Sequence, residues 1–480
     1  MRPLQRLLLL RSPLRASSSA AFSTSAAKAL GTKFDVLAQQ LSPTGQRYRV
    51  VFGANAARDQ LGAIAKASGI RKMLVVRDKD VGAASRTQYV EFLLLQAGIP
   101  CFQHTLKRDC TTLEGLDDAH ATALRVGADG VLAFGGGNTI DMARALALMI
   151  ANGGEASSYV TDGSGDDLEP PVPHIILPTI AGAGAEISTE SLVLDEDAEA
   201  KQSFIKSPIA AEVYIFLSSV SLVGRQDDAS LSTHRTNAVI VDPMLALSVP
   251  LMPTVQGALT ALGQCIESYL SGCEDKATEM LALQGIEVIA SAFAQPLVEG
   301  KVDLKNVGMR EKFALGSLFS GIAANSSGYG CAHAIAVSMG GISDLPHAQV
   351  ASAFLPFVFD KYAAIADDNE GDEFFDELRT KLDSVADRLT AASGFQGVSV
   401  AAWIRYVSTR FDLPNTSTLE LDEGLVKGIV ERAMQRQEAS AAHRDVAPIL
   451  EADDIRSLLD DAIVIASEGE GKKEHDGEKQ

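Results

Sequence analysis

The 480-residue chain holds five cysteines, Cys101, Cys110, Cys265, Cys273 and Cys331, with no CxxC pair among them. That pattern excludes a secreted-type disulfide framework and a structural zinc knuckle, and leaves reduced, mostly buried thiols. Positive charge is in deficit: 42 Lys and Arg stand against 62 Asp and Glu, a formal charge of −20. Such a surface repels nucleic acid and anionic membrane, so the expected partner is a small molecule. No apolar run approaches the length of a membrane-spanning helix, and no internal repeat is evident. Neither a GxGxxG loop nor a GK[ST] phosphate loop occurs. Histidine is sparse too, at eight residues, which draws attention to "HAIAVSMGGISDLPH", where His333 and His347 bracket two glycines and a proline.

The first thirty residues differ from the rest. They carry Arg2, Arg6, Arg11, Arg15 and Lys28, are rich in Ser and Ala, and precede the first acidic residue, Asp35. This is the composition of an amphipathic mitochondrial presequence, so residues 1–30 are expected to direct the chain to the matrix. The run Leu7 to Leu10 is too short for a secretory core or a membrane span. At the other end, residues 467–480 read as a charged, disordered tail.

A chain of this length and 46% hydrophobic content is expected to build two cores, since one core rarely grows past roughly 250 to 300 residues. From Arg47 the runs "YRVVFG", "KMLVVRD", "DGVLAFGGG" and "HIILPT" alternate with "ARDQLGAIAKAS", "RTQYVEFLLLQAG" and "LEGLDDAHATALRVG", whose apolar residues fall at helical spacing. Strand, helix, strand, helix implies a parallel sheet with crossover helices. After "AVIVDP" the pattern turns helical. The expected organisation is an α/β dinucleotide-binding domain over 31–242 and an all-helical domain over 243–466. Residues 214–236, "YIFLSSVSLVGRQDDASLSTHRT", fit neither half; they read as a surface insertion at the boundary or, preferentially, as an untranslated stretch retained in the sequence.

"VLAFGGGNTIDMARALALMI" is the strongest local signal. An apolar strand runs into Gly135, Gly136 and Gly137, after which Asn138 or Thr139 can cap a helix with Met142, Leu146 and Met149 on its apolar face. Glycines let backbone approach a ligand closely, and amides at the helix start face an anion such as a pyrophosphate. A tight turn with no ligand is the competing reading. "LVVRDK" ends a strand on Asp78, where a carboxylate can accept from an adenosine ribose and repel a 2'-phosphate, favouring NAD over NADP.

In order along the chain, "GGGNTIDMARALA", "LPTIAGAGAEIS", "VIVDPMLALSVP", "ALTALGQCIESYLS", "CAHAIAVSMGGISDLPHA" and "AFLP" resemble the signature blocks of the iron-containing (group III) alcohol dehydrogenases, the superfamily shared with glycerol dehydrogenase and maleylacetate reductase. The resemblance spans roughly residues 45 to 465. It implies a dehydroquinate synthase-like fold, an N-terminal α/β domain for NAD(P), a helical domain carrying iron or zinc, and commonly a homo-oligomer. Carried over by position, it implies nucleotide contacts at Asp78, Gly135, Gly136, Gly137, Asn138, Asp141, Thr179 and Lys201.

The metal ligands match only in part. The family's aspartate and the histidine four residues later fall on Thr260 and Gln264, while its other two histidines fall on His333 and His347. A further family histidine is Val337, and two threonines of the nucleotide-facing block are Ile180 and Ala183. Catalytic metal sites use three or four protein ligands, nearly all imidazole or carboxylate. The expectation is a weak or vestigial site, with Glu267 and Asp344 as candidate substitute ligands. Three readings follow: an alcohol or aldehyde oxidoreductase with a weakened metal site, a metal-independent reductase of an activated keto acid, and a silent nucleotide-binding homologue.

Overall fold

The computed structural model describes residues 46–79, 84–160, 168–188, 191–196, 200–204, 211–217, 237–272, 275–294, 303–343, 345–395, 399–414, 416, 419–441 and 450–466. The expected presequence, the charged tail and residues 218–236 of the insertion lie outside them.

Seven parallel strands form the main sheet: β1 (Gln46–Phe52), β2 (Met73–Arg77), β3 (Cys101–Thr105), β4 (Gly130–Gly135), β5 (His174–Pro178), β8 (Ala211–Leu217) and β9 (Asn237–Val241). Their order is β3-β2-β4-β5-β9-β1-β8. A separate antiparallel hairpin joins β6 (Ser191–Asp195) to β7 (Ala200–Phe204).

The central strands are buried on both faces, which is why they read as continuous Val, Ile and Leu runs. Successive side chains still divide between faces. Met73, Val75, Leu132 and Phe134 pack under Leu61 and Ile64 of α1 (Ala56–Ala67) and Val90 and Leu94 of α2 (Ala84–Gln96). Leu74, Val76, Val131 and Ala133 pack under Leu116 and Ala119 of α3 (Leu113–Val126) and Met142 and Leu146 of α4 (Gly137–Asn152). The strand Tyr214–Leu217 of the unusual segment belongs to the sheet: it lies in β8, parallel to β1, with Tyr214 opposite Arg49.

Winding reverses between β2 and β4. From β2 the chain moves outward to β3, then returns to the other side of β2 and proceeds inward to β5. Loops leaving neighbouring strands at such a reversal diverge and leave a crevice at their carboxyl ends. Asp78 follows β2 and the glycine loop follows β4, so both stand at its mouth.

The second half is built from α5 (Leu251–Leu270), α6 (Lys276–Phe293), α7 (Val307–Ser327), α8 (Cys331–Ser338), α9 (His347–Asp368), α10 (Glu373–Ser393), α11 (Val400–Arg410), α12 (Glu423–Ala441) and α13 (Ala452–Ala462). Helix α5 is buried around nearly its whole circumference from Thr254 to Leu270, as expected of a core helix with few charges. One element departs from an all-helical half: β10 (Glu420–Asp422) pairs in parallel with β11 (Val464–Ala466). Among the described residues no helix is long and apolar enough to cross a membrane.

Candidate active-site cleft

A cleft of about 530 Å³ lies between the two halves. Its walls come from the glycine loop, the segment after β5, hairpin residue Lys201, and helices α5, α8 and α9.

The glycine-loop side of the cleft is organised by Asp78. One carboxylate oxygen accepts from the Gly136 amide at 2.9 Å, and the other accepts from the Thr139 hydroxyl. A β-carbon on Gly135 would lie 2.5 Å from Asp78 Oδ2 and 2.4 Å from Thr139 Oγ1. Glycine is therefore required at 135 so that Asp78 can reach the loop. Asp78 lines the cleft, but its bonded role is to hold the loop.

The helix start differs from the sequence expectation. Gly136 is the N-cap of α4, with no side-chain cap bond. Asn138 and Thr139 are already helical; their side chains turn to the Asp109 carbonyl and to Asp78. The three-glycine turn starts the helix two residues earlier than a cap at Asn138 would, the N-cap offers no side-chain bond, and Gly136, Gly137 and Asn138 face the cleft. That arrangement suits an anion at a helix N-terminus.

Asp141 and Lys201 line the same cleft. Gly135 and Thr179 do not; they meet each other, the Thr179 amide donating to the Gly135 carbonyl at 2.9 Å, and Thr179 lines a small neighbouring cavity. Lys79, Arg108, Gln256, Ser188 and Tyr329 also line the cleft, and sequence reasoning missed them. Lys79 and Arg108 carried one legible signal: each follows a strand closely on the side of the winding reversal.

On the helical side His333 and His347 stand with ring centroids 5.0 Å apart. Tyr329 stacks on His333 at 4.3 Å and its hydroxyl donates to Ser188 Oγ at 3.2 Å. His333 Nδ1 has no hydrogen-bond partner, and His347 hydrogen-bonds the Ala336 backbone. Burial, then the positive charge of Lys201 and Arg436, pushes His347 down to about 3. Burial, with His347, Arg436 and Lys201 as further causes, drives His333 well below its ordinary value. Both rings are neutral at pH 7.

Thr260 shares the cleft with the two histidines, as its alignment with a family ligand requires. Its hydroxyl donates to the Gln256 carbonyl one turn back, at 2.9 Å. The Gln264 amide nitrogen donates to the Ala183 carbonyl at 3.2 Å. Glu267 is not a substitute ligand: it sits under the start of α8, where it accepts from the Ala332 amide and the Tyr362 hydroxyl, each at 3.4 Å. A carboxylate beside a helix N-terminus is favourably placed, and that holds Glu267 away from the histidines. Asp344 lies outside the described residues. Among the described residues no three His, Cys, Asp or Glu side chains gather so as to hold a metal ion.

Glu186 is the other unusual group. It is 3% exposed, lines the cleft, and accepts from Ser317 Oγ at 3.0 Å. Burial raises it to about 7, against the pull of that bond and of Arg144.

Fold and cleft together define a class: a parallel α/β half facing a helical half, in the dehydroquinate synthase-like arrangement. The chain belongs to the iron-containing alcohol dehydrogenase family, whose model matches residues 48–217 and whose C-terminal model matches residues 254–459. It is 26% identical over 330 residues to a probable alcohol dehydrogenase of Salmonella typhimurium, covering 69% of this chain and 76% of that protein. It is 25% identical over 312 residues to an NAD-dependent methanol dehydrogenase of Bacillus methanolicus, covering 64% and 72%. In fold it is similar to a sulfoacetaldehyde reductase of Bifidobacterium kashiwanohense solved with NAD+, at a TM-score of 0.65 and 18% identity, over 87% of this chain and 98% of that one.

Proposed function

We propose that this chain is an NAD-dependent oxidoreductase that moves hydride between nicotinamide and a small alcohol or aldehyde, and that it does so without a tightly held divalent metal. The observation that carries the reading is a single cleft joining a glycine-loop helix start with no side-chain cap bond to two neutral imidazoles.

The nucleotide fits this chain's residues. The amides after Gly136 would hold its phosphates, with Asp78 fixing the loop that presents them. Bound there, the cofactor supplies or accepts the hydride. The metal does not fit. Thr260 and Gln264 offer only a neutral hydroxyl and a neutral amide where the family has a carboxylate and an imidazole, and two imidazoles with no carboxylate leave the ion's charge uncompensated.

In carbonyl reduction, negative charge develops on oxygen as hydride reaches carbon. An N–H of His333 would donate a hydrogen bond to that oxygen, in a setting where water competes little. Tyr329 keeps the His333 ring oriented, and the neutral state of both rings leaves each with one donor and one acceptor.

Restoring the family's residues tests the metal reading. Thr260→Asp combined with Gln264→His is expected to raise zinc or iron content toward one ion per chain, read by elemental analysis beside the parent protein. No gain in metal would reject the placement of these two positions. We further propose a mitochondrial matrix location and a homo-oligomeric state; import into isolated mitochondria and the native mass by light scattering test them.

A further inference from the structure

Two helices begin at the cleft. Besides α4, helix α9 starts there: Pro346, His347, Ala348 and Gln349 line the wall, and the N-cap Pro346 makes no side-chain cap bond. The first amides of a helix have no partner within it, and that end carries partial positive charge.

What marks this helix start as a site is Gln256 of α5. The side chain is 4% exposed and lines the same cleft, and its Nε2 has no hydrogen-bond partner among the described residues. A buried N–H without an acceptor is costly. Its position is fixed by backbone contact: a β-carbon on the next residue, Gly257, would lie 2.2 Å from the Ala181 carbonyl oxygen. The Gln256 carbonyl accepts from the Thr260 hydroxyl at 2.9 Å, and that hydroxyl lies 3.4 Å from the Ala348 carbonyl. Gln256 is thereby held between the segment after β5 and the start of α9, whose first residue, His347, has His333 as its ring neighbour at 5.0 Å.

Nearby acceptors do not serve it. Gln264 Oε1 also lacks a partner, but eight residues along a helix is about 12 Å, and Gln264 does not line the cleft. Asp141 lies 4.0 Å from Arg144 and interacts with Lys201.

We propose that the Gln256 amide is a second donor to the carbonyl oxygen of the substrate, acting with the N-terminus of α9 beside His333. The proposal rests on the oxidoreductase reading above. As hydride passes from NADH to the carbonyl carbon, the C=O bonding pair moves onto oxygen. Gln256 Nε2 and the α9 start stabilise that oxyanion, and a proton from solvent completes the alcohol and leaves NAD+. A neutral amide asks nothing of the substrate beyond its carbonyl.

The test uses the full chain with NADH and butanal. Gln256→Leu is expected to lower kcat about 100-fold, as loss of one oxyanion donor does, with NADH affinity unchanged in fluorescence titration. Gln256→Glu keeps the shape but is an acceptor when ionised. Its kcat is expected to be equally low at neutral pH and to rise relative to the parent as pH falls, because a protonated carboxyl donates. A kcat of Gln256→Leu close to the parent's, or a loss explained by weaker NADH binding, overturns the proposal.

Butyramide presents the same oxygen and is not reduced, so its binding reads the donor apart from turnover. Calorimetric titration into the NADH-loaded protein is expected to show binding about tenfold weaker in Gln256→Leu than in the parent. If no carbonyl is reduced although NADH binds, the oxidoreductase reading fails separately and butyramide decides: binding that the variant weakens supports the donor, and binding that is absent or equal in both proteins overturns it.

Discussion

Asp78 shows how one carboxylate can have a task in the fold that its place in the sequence does not announce. A strand-end acid in an α/β protein suggests a ribose contact, yet here both oxygens are committed to Gly136 and Thr139. Asp78→Asn keeps the shape and removes the charge, so NADH affinity measured by fluorescence titration is expected to fall about tenfold, the worth of one charge-assisted hydrogen bond. Unchanged affinity would mean that the loop holds itself. Glu186 offers a stability prediction with a defined sign. Its folded value is raised from 4.5 to about 7, so the unfolded state ionises first. The stabilisation it confers is full below about pH 4.5 and is lost as pH rises to about 7, at no more than about 1.4 kcal/mol per pH unit. Glu186→Gln still accepts from Ser317 and cannot ionise. Urea unfolding at pH 5 and at pH 7 is expected to show a smaller decline for the variant than for the parent.

At the scale of elements, the segment after β5 brings the two halves into close backbone contact. Gly184 has φ +70°, and a β-carbon there would lie 2.4 Å from Gly321 Cα in α7. Gly184→Ala combines left-handed backbone strain with a collision against backbone that cannot give way, so a loss of about 2 to 4 kcal/mol is expected in urea unfolding. A change under about 1 kcal/mol would mean that the contact is looser than drawn. Which elements were legible follows from burial. β2, β4 and β5 announce themselves because both faces are covered. β3, "CFQHT", is an edge strand with Phe102 and Gln103 exposed, and it lacks any such run. The β6 and β7 hairpin has no two-residue turn signature, and β7 carries Lys201 inside a mostly polar strand. The cap of α4 was misplaced because Asn and Thr are strong cap formers, whereas the glycine turn gives the backbone its own start.

Across the whole molecule, the alternation of apolar runs with helical spacing carries the parallel sheet, and the glycine loop carries its functional end. The order of strands is not written locally, so the reversal between β2 and β4 that opens the cleft emerges only in three dimensions. The resemblance to the family supplied His333, His347, Thr260 and Gln264, all of which the fold places on the helical side. It could not supply Tyr329, whose place in the cleft depends on the ring it stacks upon. Glu267 was misread for the same reason: spacing placed it one turn from Gln264, while packing turned it toward α8.

The most direct measurement is the metal content of the purified full chain after incubation with zinc or iron and dialysis, taken together with NADH-linked carbonyl reduction on the same sample. The account predicts far less than one ion per chain and turnover unaffected by a chelator. One tightly held ion per chain, with turnover that the chelator abolishes and the ion restores, would contradict it.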